Sequence, residues 1–232
     1  MAILLFRLAG TGDSLMKRTT ITFLAALALF LGTIASSKYS VSNDFIQKPL
    51  DFSGIDTVQF ESAGLSEIAI SKTRAPMLRH RPDDAAKIQV TRQGNTLLIR
   101  SDTSQYGDVE LIIPATIRTL ITQSARVGSK DKLDSLDIRA SEDLYWSGDI
   151  KTLRITDTRA YGGCSPRCQN GLHVEDGAIA DLTIATPAGE VTLNQADDIN
   201  NATLLLGPDA SFSLLNAHHV DRIRVVDFES GK

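Results

Sequence analysis

One six-residue phrase recurs along this chain and limits its possible folds more than any other feature. It consists of an apolar residue, two spacers, a second apolar residue, one spacer and a third. Its copies are Ile117, Leu120 and Thr122 (a threonine closing this one); Leu133, Leu136 and Ile138; Ile150, Leu153 and Ile155; Ile179, Leu182 and Ile184; Ile199, Ala202 and Leu204; and Val220, Ile223 and Val225. Successive starts lie 16, 17, 29, 20 and 21 residues apart. The last two apolar positions alternate around a spacer, which is the period of a β-strand. A unit of one short strand and a turn cannot bury its own apolar face, so the units must stack on one another. The expected fold is all-β, a single-stranded β-helix (solenoid) of irregular 16–21-residue coils.

Composition alone would produce some copies. With 42% apolar residues, a chain of this size gives roughly two strict copies by chance, those with polar residues at all three spacers. Five such copies occur, beginning at Ile55, Leu133, Ile150, Ile199 and Val220. A second alternating pair keeps step with the first: Leu144/Trp146, Leu172/Val174, Val191/Leu193 and Phe212/Leu214. Leu193 to Leu214 spans 21 residues, as does Ile199 to Val220. Two strands per coil that advance together are not a product of composition.

Residues 1–35 stand apart from the fold. Met16-Lys17-Arg18 supplies a basic start, and residues 21–34 form an apolar run of 14 residues, short for a membrane span. Thr33 and Ala35 place small side chains where cleavage after Ala35 requires them, which reads as a signal peptide whose translation starts at Met1 or at Met16. The other reading is an uncleaved anchor in the inner membrane, and both export the rest. Residues 36–51 read as a flexible tether that ends in an edge strand, and 52–232 as one domain. Without residues 1–35 the chain carries 21 basic and 27 acidic residues, a formal charge of −6, which argues against nucleic-acid or anionic-lipid partners.

Within that domain Leu65 to Ile70 reads as a partner strand for the phrase at Ile55. Residues 72–86, with two prolines and many charges, read as an exposed loop. Arg92 to Asn95 reads as a hairpin turn between Ile88–Val90 and Leu97–Ile99. This early phrase, the run VTRQGNTLLIRSD, the run VELIIPATIRTL and the recurring L-x-I strands resemble the head GIN domain, an auto-transporter-adhesin-like family, over Phe52 to Val225. The resemblance implies a right-handed β-helix exported to the cell envelope, in the periplasm or at the surface. It transfers no catalytic residue and no cofactor. This chain departs from the family in having few turn glycines and a cysteine-bearing insert.

That insert, residues 161–170, accounts for the 29-residue gap and holds Cys164 and Cys168, the chain's two cysteines. In an exported protein they read as a structural disulfide. A metal clip with His173 and a redox pair are the alternatives, but the first needs further ligands and the second usually has a two-residue spacing at a helix N-terminus. Coil alignment also sets Asp197 and Asp198 one unit before His218 and His219. Two Asp–His pairs would form a weak metal site or an acid–base pair on a glycan, and otherwise a solvated polar turn. Asp137 and Arg154 occupy matching spacer positions and should make a cross-strand charge pair. Tyr145 and Trp146 would form a sugar platform, except that alternation sends one of them inward, and Trp146 suits the core.

No phosphate-binding glycine loop, no G-x-S-x-G and no H-E-x-x-H is present. The expected function is that of a non-enzymatic envelope protein whose solenoid surface binds a polysaccharide or a protein partner. A glycan-cleaving β-helix enzyme and a scaffold assembling through its end coils are the alternatives.

Overall fold

Alternation of buried and exposed side chains runs through most strands of the chain, as in Thr57–Ser62 and Ser66–Ser71. The computed structural model describes residues 45–62, 64–102, 109–158, 171–194, 198–215 and 220–228. The signal-peptide segment, the insert with Cys164 and Cys168, and Asp197, His218 and His219 lie outside the described residues. Sixteen strands are described: β1 (Ile46–Pro49), β2 (Thr57–Ser62), β3 (Ser66–Ser71), β4 (Met77–His80), β5 (Ile88–Gln93), β6 (Thr96–Ser101), β7 (Val109–Pro114) and β8 (Thr119–Thr122). They continue with β9 (Ala125–Ser129), β10 (Leu133–Ala140), β11 (Leu144–Ser147), β12 (Ile150–Asp157), β13 (Gly171–Asp176), β14 (Ala178–Asn194), β15 (Asp198–Leu215) and β16 (Val220–Asp227).

All sixteen belong to one sheet, most of it parallel, arranged as two ladders. The first runs β5, β6, β2, β8, β10, β12, β14, β15, β16, and the second runs β1, β4, β7, β3, β9, β11, β13, β14, β15. The ladders meet because β14 and β15 are long enough to serve both. The first half of β14 pairs with β12 and its second half with β13. Antiparallel pairing is confined to β5 with β6, β4 with β7, and β1 with β4. The β5–β6 hairpin turns at Gly94, which holds φ +62°, where a side chain would be strained.

The registers explain the recurring phrase. Leu136, Leu153, Leu182, Ala202 and Ile223 pair in succession, and so do Ile138, Ile155, Ile184, Leu204 and Val225. In the second ladder Leu144, Leu172, Val191 and Phe212 form one column, and Trp146, Val174, Leu193 and Leu214 the next. Side chains from both ladders pack into a single apolar core. Large residues sit beside small ones there: Ala125 lies next to Leu144, and Trp146 is flanked by Val127 and Val174.

Three expectations change. The copy at Ile117 sits two residues out of step, since Leu120 pairs with Ile138 and Thr122 with Ala140. A shift of two residues leaves the same side chains pointing inward, so alternation cannot tell the two registers apart. Next, β3 does not pair with β2 but joins the second ladder between β7 and β9, while β2 lies between β6 and β8. In both ladders β6 and β7 are thus placed outside β2 and β3, which precede them in sequence. Finally, residues 72–86 are not only loop. They include β4 and most of a 3-10 helix at Pro82–Lys87, with Leu78 and His80 buried.

Asp56 ties the starts of β2, β6 and β8 together. Its carboxylate accepts hydrogen bonds from Thr57 Oγ1 and Asn95 Nδ2, both at 2.8 Å, and its carbonyl accepts Arg118 N–H at 2.9 Å. The bonds from Thr57 and Asn95 hold its carboxyl below the usual carboxylate range. A carboxylate with a lowered folded-state pKa adds stability above its unfolded value and loses it as pH falls through the folded one. The stability gap between wild type and Asp56→Asn is therefore expected to be open at pH 7 and to close below about pH 4, as read by urea unfolding at several pH values. In the same assay Leu153→Ala should cost about 2–5 kcal/mol, because it empties the middle of a column. Its outward neighbour Arg154→Ala should stay within about 0.5 kcal/mol.

Candidate functional site

Side chains facing away from the core on the second ladder form two rows that run across the strands. Pairing places Glu67, Arg126, Tyr145, His173, Thr192 and Ser213 in the first row. Strands lie about 4.8 Å apart in a ladder, the spacing at which planar groups stack. The Tyr145 and His173 rings stack with centroids 4.7 Å apart and planes 10° from parallel. The Arg126 guanidinium lies 5.3 Å from the centroid of the Tyr145 ring, a cation–π contact. Gly171 makes room for the imidazole, which a Cβ at that position would strike. Its N–H is held by Asp143 Oδ1 at 2.8 Å. Farther along, Glu190 Oε1 accepts Ser213 Oγ at 3.1 Å and Thr192 Oγ1 at 3.4 Å.

The second row is made of small residues: Ala69 pairs with Gly128, and Gly128 with Ser147. A groove of about 460 Å³ is lined by these three residues and by charged side chains around them. Close backbone packing keeps its floor low, since Gly148 holds φ +136° and a Cβ there would stand 2.5 Å from the Ser129 carbonyl oxygen. One end of the lining is fixed by Asp131, which accepts Lys72 N–H at 2.7 Å and Ser71 Oγ at 3.1 Å. Elsewhere in the lining Glu110 accepts Arg79 at 2.8 Å and has Arg74 at 3.7 Å.

Charges in the groove differ in how far they are already satisfied. Glu110 and Asp131 are engaged as hydrogen-bond acceptors. Arg74 and Arg126 face carboxylates at 3.7 Å, beyond a good hydrogen bond. Lys130 makes no ion pair among the described residues. The groove therefore presents hydrogen-bond donors to whatever enters it, together with the Ser147 hydroxyl and the Asp176 carboxylate on its lining.

The residues singled out from sequence are placed as follows. Trp146 is buried, with Nε1 donating to Gly148 O at 3.2 Å, and Tyr145 alone of the two belongs to the outer row. Asp137 stands opposite Arg154 in register, but its ion pair is with Arg139 of its own strand at 3.3 Å. Arg139 lies on the same face two residues away, so the local pair forms instead. Asp198 pairs with Ala178 across the ladder and is exposed. Its partners in the expected Asp–His cluster lie outside the described residues, as do both cysteines. Among the described residues no group of three or more His, Cys, Asp or Glu could hold a metal ion, and no helix is long and apolar enough to cross a membrane.

No family model and no curated protein matches the chain. Solved structures resemble it at low identity. A "putative adhesin" from Bacteroides fragilis is 15% identical with a TM-score of 0.46, over 79% of this chain and 98% of that one. A "putative adhesin" from Parabacteroides merdae is 10% identical with a TM-score of 0.44, over 79% and 95%. A "putative cell adhesion protein" from Clostridium sporogenes is 9% identical with a TM-score of 0.27, over 79% and 99%. The functional reading rests on the groove and not on these distant likenesses.

The outer row yields its own test. Gly171→Ala should push the imidazole off Tyr145, and the ring-current shifts of both side chains in NMR spectra should collapse toward random-coil values. Unchanged shifts would mean that the ladder spacing does not hold the stack.

Proposed function

We propose that this chain is an exported cell-envelope protein, wound as a right-handed β-helix of the kind the head GIN resemblance implies, that binds an extended polysaccharide without cleaving it. The groove over Ala69, Gly128 and Ser147 is the observation that carries this reading. Its volume falls in the range of ligand sites, roughly 300–1,000 Å³. A glycan presents hydroxyls that donate and accept, and the groove offers guanidinium and ammonium donors beside carboxylate and hydroxyl acceptors. Its small-residue floor leaves room for a sugar ring close to the backbone.

A protein partner fits this face less well. Stable protein interfaces bury about 800 Å² per partner around a core depleted in charge. The exposed large apolar residues among those described are Ile46, Leu214, Leu215, Ile223 and Val225, and none of them lines the groove. Export is supported by the apolar run at residues 21–34 and its basic start. The reading as a binder rather than an enzyme is supported by the engagement of Glu110 and Asp131 with Arg79, Ser71 and the Lys72 amide, which leaves Asp176 without either of them as a free partner for acid–base work.

A polysaccharide panel tests this with the purified chain. We expect binding with no release of reducing ends, and at least tenfold weaker binding, about 1.4 kcal/mol, for Ala69→Gln, which fills the floor from an outward position. Release of reducing ends would establish the enzyme reading. Failure to bind any glycan would remove the polysaccharide reading.

A further inference from the structure

Resting on the glycan-binding reading, we propose that the groove selects an anionic glycan, one whose sugar carboxylate or sulfate is held by Arg126, Arg74 and Lys130. The lining holds charges of both signs, so a count of residues does not decide the matter. What decides it is which charges still lack close partners.

Glu110 receives a 2.8 Å hydrogen bond from Arg79, and Asp131 receives one of 2.7 Å from the Lys72 amide. Both carboxylates have spent much of their accepting capacity inside the protein, Glu67 is engaged as well, and Asp176 is the one lining carboxylate set against the three cations. Those cations have not spent their donating capacity. Arg74 and Arg126 are 3.7 Å from their carboxylates, and Lys130 has no ion pair among the described residues. A group inserted here meets unspent donors, and charge-assisted bonds from guanidinium to an oxyanion are about twice as strong as neutral ones.

Placement supports the same ligand. Arg126, Gly128 and Lys130 face outward from one stretch of chain, two residues apart. At 3.3 Å per residue the two cations are at most about 13 Å apart from Cα to Cα, with the glycine between them. A single sugar chain lying across the strands over Ala69, Gly128 and Ser147 would pass between Arg126 and Lys130. The Tyr145 ring lies 5.3 Å from the Arg126 guanidinium and restricts its swing at the border of the groove. The chain as a whole carries −4, so long-range steering does not favour an acidic partner. The selection is local and short-range, which predicts a modest dependence on salt.

Matched ligands test this with the full chain. Hexamers of polygalacturonate, alginate and hyaluronan are titrated by calorimetry beside their methyl-esterified forms, which keep the backbone and remove the charge. A sulfated oligosaccharide is included to separate carboxylate from sulfate recognition. We expect at least one anionic hexamer or the sulfated oligosaccharide to bind, with a matched uncharged form at least tenfold weaker. Lys130→Gln and Arg74→Gln should each weaken the anionic ligand several-fold and the neutral form less, so that the preference for the charged form narrows. Equal binding of charged and esterified forms, or binding of neutral glycans only, would overturn the anionic assignment while leaving glycan binding intact. Absence of binding by every glycan would overturn both.

Discussion

Everything in this structure depends on apolar side chains from successive strands falling into register, one directly over the next. A strand of six or eight residues with one apolar face has nowhere to hide that face except against its neighbours. Leu153 is buried because Leu136 and Leu182 lie on either side of it and the second ladder closes over it. The same spacing governs the outer surface. Tyr145 and His173 stack because their backbones are one ladder step apart, and the groove floor exists because three small residues share a row. Core and candidate site are two faces of one repeat.

Much of that repeat was legible in the sequence. The phrase shared by Leu133, Ile150, Ile179, Ile199 and Val220 predicts the first ladder, and the pairs from Leu144/Trp146 to Phe212/Leu214 predict the second. In both cases the observed registers match the alignment of letters. Two things were not legible, for physical reasons. Alternation fixes which way a side chain points but not a slip of two residues, so the letters align the copy at Ile117 two residues out of register with β10. Stacking order is equally silent, because an apolar column accepts any neighbour of similar shape. Nothing near Thr57 says that β2 lies between β6 and β8 rather than at the end of the stack.

The candidate groove was less legible than the core. Its floor joins Ala69 to Gly128, residues 59 apart in sequence, through a pairing that depends on the non-sequential order. Arg74, Arg126 and Lys130 look like ordinary surface charges until that pairing is known. The signal available beforehand was slight: small residues at the outward position of successive second-ladder strands, at Ala69, Gly128 and Ser147. Aromatic residues were easier to read, since alternation sends one of Tyr145 and Trp146 inward and the larger apolar ring suits the core. The cysteines, Asp197, His218 and His219 lie outside the described residues, so the groove and not those clusters carries the functional reading.

The stacking order is the most exacting part of the account, and distances measured across the ladder test it most directly. Outward positions Thr119 and Arg224 are separated by five strand steps, Thr57 and Arg224 by six, and Thr96 and Arg224 by seven. With spin labels at these sites, pulsed EPR should give about 24, 29 and 34 Å respectively, at roughly 4.8 Å per step. Thr96 should be the farthest of the three although Thr57 is more distant in sequence. A larger distance for Thr57 than for Thr96 would mean that the strands stack in chain order, and the groove between β3 and β9 would not exist.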